Sequence, residues 1–183
     1  MHEPRFYRHW IKDSDLVSFN VAVAQTDLYI RSQRNLKDKA LNSVLKHRRS
    51  LEAYIEHHPI FLTTLEAYQA EAEAPAIVKE MSRVSQLTGV GPMAAVAGTI
   101  AEAVGRDLVA FSPEVIVENG GDIFLKTSKK RLVGIYAGQS SFTRKIALEI
   151  VAEETPLGIG TSSGTVGHSL SLGGADAVIV LSS

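Results

Sequence analysis

The stretch EVIVENGGDIFLKT, residues 114–127, decides the fold. Two apolar, β-branched runs, VIV and IFL, flank Asn119, Gly120 and Gly121. Asn-Gly and Gly-Gly supply the positive φ angles of a tight hairpin turn, so an antiparallel strand pair is expected here. Downstream the strand pattern recurs in RLVGIYAG (131–138), KIALEIVA (145–152), LGIGT (157–161) and ADAVIVLSS (175–183).

Upstream of the hairpin the pattern changes to helices. GVGPMAAVAGTIAEAVG (89–105) reads as a turn feeding a helix over 93–104, with Pro92 at a first position that needs no amide donor. AIVKEMSRVSQ (76–86) reads as a helix ending near Gly89. The connection 59–75 is irregular or partly helical, and 35–58 carries apolar residues at helical spacing and stops before Pro59. Residues 5–32 alternate apolar with polar, which predicts two or three strands. Helices grouped in the middle and strands adjacent in sequence predict an α+β fold, a mostly antiparallel sheet with helices packed against it, rather than a doubly wound parallel sheet.

Composition sets the outer limits. With 183 residues and 45% hydrophobic content, one domain spanning 1–183 is expected. A net charge of -1 offers no global field for nucleic acid or an anionic membrane surface, so neither is an expected partner. The absence of cysteine excludes thiolate zinc sites, disulfides and a cysteine nucleophile. No stretch of about 20 apolar residues is present, and a soluble, cytoplasmic protein is the expectation. Exposed strands near either terminus could pair with a second copy, which leaves a homo-oligomer open.

Three motifs could carry chemistry. In the helix 93–104 nearly every residue is small; this allows close approach of a ligand, with Gly91 and Met93 at the helix start where a phosphate could dock, or simply tight packing on a sheet. In the hairpin, Glu118 and Asp122 flank the turn, where they could bind a cation, a ribose hydroxyl or the polar edge of a ring. In GIGTSSGTVGHSLS (158–171), Thr161, Ser162, Ser163, Gly164 and Thr165 form a glycine- and hydroxyl-rich loop suited to an anionic, nucleotide-like molecule. His168, in the same loop, could act as a general base.

Competing readings apply to each. A packed loop whose histidine satisfies a carbonyl would look the same. Ser162 or Ser163 with His168 and Asp176 admits a serine hydrolase, although GTSSG (160–164) precedes no apolar helix as a nucleophile elbow would. The basic residues of 37–49 read as a solvated helix face, and His57-His58 as helix-end histidines rather than metal ligands.

Taken in order, GVGPMAAVAGTIAEAVG, VIVENGGDIFL, IYAG and GIGTSSGTVGHSLSLGGADAVIVL closely resemble the small, functionally uncharacterised ApbE-like proteins. TDLYIR, RRSLEAYIEHHPIF and APAIVKEM extend that resemblance over most of the chain. These proteins are more distantly similar to ApbE itself, magnesium-dependent enzymes that move FMN from FAD to a protein threonine or serine and release AMP. The resemblance implies that Asn119, Gly120, Gly121 and Asp122 correspond to a flavin-site motif and Thr161–Gly164 to a threonine-serine-glycine loop. It also implies that His168 deprotonates the acceptor hydroxyl. The cofactors so implied are FAD or FMN, with magnesium.

The sequence departs from that pattern in three places. Gly91-Pro92-Met93-Ala94 lacks the family's lysine, and SLSLGGAD follows His168 in place of a proline- and threonine-containing turn. The expected metal-binding aspartate and threonine lie beyond the last matched strand. Either the chain is a C-terminally truncated fragment or that part of the metal site is missing, and no metal ligand is assigned. A non-catalytic ligand-binding module is the third reading.

Overall fold

A computed structural model of the chain describes residues 8, 15–165, 171 and 173–183. The hairpin read from residues 114–127 is present as β3 (Val115–Asn119) and β4 (Asp122–Lys126), paired antiparallel with Asn119 opposite Asp122. Gly120 (φ 64°) and Gly121 (φ 105°) form its turn, as the need for positive φ at both positions predicts.

Four more strands extend the sheet: β1 (Val17–Val23), β2 (Thr26–Ser32), β7 (Leu157–Ser162) and β8 (Val178–Ser182). Their order is β1-β2-β3-β4-β7-β8, with every neighbouring pair antiparallel. A separate ribbon joins β5 (Arg131–Gly134) to β6 (Ala147–Ile150), both shorter than the apolar runs that suggested them. The fold is therefore α+β with a mostly antiparallel sheet.

The helices are α1 (Lys37–His57), α2 (Ile60–Thr63), α3 (Ala76–Thr88) and α4 (Val96–Val109). Asn35 Oδ1 accepts the Lys37 amide at the start of α1. Gly89, left-handed at φ 71°, ends α3 by donating its amide to the Ser85 carbonyl. The helix predicted over 93–104 begins instead as a 3-10 turn, Pro92–Ala95, and α4 runs on to Val109. Among the described residues no single helix is long and apolar enough to cross a membrane.

Side-chain alternation divides the core between the two faces of the sheet. Leu28, Ile30, Val115, Val117 and Phe124 join Ala40, Val44, Ala101 and Val104 in the layer between sheet and helices. On the opposite face Leu125, Leu157 and Ile159 meet Ile150 of the ribbon. The small residues of α4 serve close packing in at least one place: a Cβ on Gly105 would lie 2.0 Å from the Phe124 ring.

One buried ion pair fastens the ribbon to the sheet. Arg131 at the start of β5 donates to Glu114, just before β3, and to both Asp15 oxygens at 2.9 Å. Ser128 and Thr127 also donate to Glu114. Burial pushes the Glu114 carboxyl up, but Arg131 and the two hydroxyls outweigh that and hold it below the usual carboxylate range.

The basic face of α1 is engaged at its surface: Arg48 bonds Thr26, Gln25 and Glu52, and Lys46 pairs with Asp107. His57 Nδ1 lies 2.9 Å from the Ala53 carbonyl, as expected of a helix-end histidine, while His58 stacks on Tyr54.

Candidate functional site

The hairpin turn is held from both faces of the sheet. On the helix side, Asn119 donates through Nδ2 to the Ala97 carbonyl at 3.0 Å. Asp122 lies against the Gly98 backbone, where a Cβ would fall 3.4 Å from its Oδ2, and its Oδ1 accepts the Thr161 amide at 2.9 Å. Ala97 and Gly98 lie in the first turn of α4, whose own N-cap residue, Ala95, provides no side-chain acceptor. A carboxylate from a neighbouring strand thus lies beside the first turn of the helix, next to the positive end of its dipole.

Asp122 thereby lies where the three motifs singled out in the sequence meet: the small-residue helix, the hairpin to which it belongs, and the glycine- and hydroxyl-rich loop stretch, whose first residues Thr161 and Ser162 still belong to β7. Burial raises its carboxyl above the usual range, the Glu118 charge adds to that, and the Thr161 and Gly98 amides oppose it. Gly121 sits hard against the same loop, since a Cβ there would lie 2.4 Å from Thr161 Oγ1. Glycine at this position answers both a φ of 105° and a close approach.

On the other side of the sheet, Glu118 accepts the Gly121 amide at 2.8 Å and the Arg8 Nε at 2.6 Å. Arg8 also reaches Asp27, donating to both carboxylate oxygens and to the carbonyl. Its guanidinium lies over the Tyr29 ring, 5.6 Å from the centroid. Arg8 and Glu118 side chains are each 7% exposed, so the pair is well shielded.

The remaining sequence candidates divide. Gly91 is buried, with any Cβ falling 1.9 Å from the Thr64 carbonyl oxygen, and Met93 packs against the main core. Thr161, Ser162, Gly164 and Thr165 are exposed and Ser163 is half-buried. Ser163 Oγ accepts the Thr165 amide at 3.1 Å, the Gly164 amide donates to the Ala175 carbonyl at 2.9 Å, and Thr165 Oγ1 donates to Asp176.

With Thr161 donating to Asp122, three of the loop's backbone amides already have protein acceptors. The loop is consequently a less open amide nest than its glycines suggested, and the hydroxyls of Ser163 and Thr165 are engaged within it. His168, the expected general base, lies outside the described residues. No group of three or more His, Asp or Glu side chains that could hold a metal ion occurs among the described residues.

Sequence reasoning missed Ala97, Gly98 and Arg8. The first two lay inside the quoted GVGPMAAVAGTIAEAVG run, but the 3-10 turn moves the α-helix start past Gly91. Arg8 had no visible signal, because its partners are 19 and 110 residues away.

A sequence model of the family described as AbpE bacteria matches residues 8–183. The chain belongs to this family. It is 45% identical over 144 residues to a UPF0280 protein of Methanococcus aeolicus, covering 77% of this chain and 58% of that one. A UPF0280 protein of Methanococcoides burtonii is 46% identical over 144 residues, with coverages of 78% and 60%. One from Methanococcus vannielii is 40% identical over 170 residues, with coverages of 91% and 69%. The matched stretch thus spans 58% and 60% of the first two relatives.

Proposed function

We propose that the corner formed by the α4 start, the Asn119–Asp122 turn and the loop 161–165 binds a flavin or related nucleotide. The observation that carries this reading is that the Asp122 carboxyl of the hairpin accepts the Thr161 amide and lies against Gly98 at the start of α4. Asp122 with Glu118 nearby makes the corner electronegative, which favours a ring N–H or a ribityl hydroxyl over a phosphate at this spot. The hydroxyls of Thr161 and Ser162 offer neutral donors to the phosphate end of the same ligand.

The reaction proposed for this corner, by resemblance to ApbE, is FMN transfer from FAD. An acceptor hydroxyl oxygen on a protein threonine or serine forms a bond to the FMN phosphorus. The bond to the bridging pyrophosphate oxygen breaks, AMP leaves, and His168 takes the hydroxyl proton. Magnesium is assigned no ligand and no step in this scheme; among the described residues no group of three or more His, Asp or Glu side chains could hold a metal ion.

Calorimetric titration of the purified chain with FAD, FMN and AMP tests the reading. Saturable binding of FAD or FMN, lost in Asp122→Ala, is expected. No saturable heat with any of the three would overturn it.

A further inference from the structure

Asp122 depends on a turn whose shape is held from behind. Gly120 and Gly121 are both in left-handed backbone, so the turn has little intrinsic preference for one arrangement. On the far face Glu118 restrains it, with its two oxygens divided: one accepts the Gly121 amide, the other accepts Arg8. Arg8 in turn is fixed by a fork onto Asp27 in β2 and by the Tyr29 ring beneath it. Tyr29 lies directly opposite Glu118 in the β2–β3 register, so ring, carboxylate and guanidinium share one face of the sheet.

We propose that Arg8 is the positioning residue of the ligand corner. Acting through Glu118, it holds the Gly121 amide and so sets the geometry in which Asp122 meets the α4 start and Thr161 near the end of β7. This rests on the reading of that corner as the flavin or nucleotide site. Without Arg8, the second Glu118 oxygen loses the donor that orients it, and the hold of Glu118 on the Gly121 amide loosens. A lysine could restore the charge next to Glu118 but not the planar fork that also engages Asp27.

The test compares wild-type chain with Arg8→Gln, Arg8→Lys and the milder Glu118→Gln, using two separate readouts. The first, free of any ligand, is the amide NMR signal and hydrogen exchange of Gly121, with Ile30 and Val117 in the core as internal references. The expected result in Arg8→Gln is an upfield Gly121 amide and exchange at least tenfold faster, with both references unchanged and partial recovery in Arg8→Lys. An unmoved Gly121 signal, or references that speed up in step with it, overturns the proposal.

The second readout is calorimetric FAD affinity, expected to weaken about tenfold in Arg8→Gln. Wild-type affinity alongside a released Gly121 amide overturns the positioning role while leaving the ligand reading intact. A wild type that binds no FAD, with Gly121 still released in Arg8→Gln, sinks the ligand reading and upholds the control of the turn by Arg8.

Discussion

Strands β3 and β4 and strands β7 and β8 belong to one sheet, yet they are filled by different rules. Under α4, Val115 and Val117 are fully buried and Phe124 nearly so, whereas in β8 Val178 and Val180 are 49% and 61% exposed. The register sets Phe124 of β4 beside Gly158 of β7, so the large side chain stops where the glycines begin. Glycine itself changes meaning across that line. A Cβ on Gly105 would strike the Phe124 ring, whereas a Cβ on Gly160 would meet nothing within 4 Å. At the first position glycine is required by packing. At the second, nothing in the packing requires it.

The largest expected effect lies in the well-packed half. Arg131→Met removes the guanidinium from Glu114, whose side chain is 2% exposed, and strands a buried carboxylate. Breaking such a pair costs about 3–5 kcal/mol. Urea denaturation should show that loss; a change below about 1 kcal/mol would mean that Glu114 relaxes to water and that the ribbon is not anchored there.

Next comes a direct pairing of the two glycines. Gly105→Ala should destabilise by about 1–3 kcal/mol through forced displacement of Phe124. Gly160→Ala should stay within about 0.5 kcal/mol of wild type. Equal losses in the two variants would erase the distinction drawn between the two halves.

The smallest effect concerns the joint between them. Burial and Glu118 raise the folded-state pKa of Asp122 above its unfolded value. Between those two values the native state holds more protons than the unfolded state, so this group's contribution to stability falls as pH rises. Asp122→Asn removes that dependence. The stability of Asp122→Asn minus that of wild type should therefore climb with pH from the ordinary aspartate range and level off above the folded value. Paired urea midpoints from about pH 3.5 to about pH 7 measure it. A difference that falls over this range would mean that the Thr161 and Gly98 amides outweigh burial.

Much of this was legible beforehand because it is local. VIVENGGDIFL prescribes its own hairpin through two glycines and an alternating pattern, and Gly89 marks the end of α3 through backbone freedom alone. The order of the motifs pointed to the family. Individual assignments within the site were less secure wherever a distant neighbour decided them. Gly91 answers to the Thr64 carbonyl and Gly164 to Gly173, contacts that no local pattern encodes. The loop 161–165 advertises amides and hydroxyls together, but whether the amides are already engaged depends on Asp122, Ser163 and Ala175.

By itself, then, the sequence determined the elements, the α+β class and the residue types available for chemistry, since propensity, turn stereochemistry and hydrophobic period act over a few residues. The tertiary structure alone decided which of those residues meet. It put Asp122 on the Thr161 amide and against Gly98, and it brought Arg8 across 110 residues to Glu118. Hydrogen bonds and ion pairs form by proximity in space, and the antiparallel register of β2, β3, β4 and β7 creates that proximity.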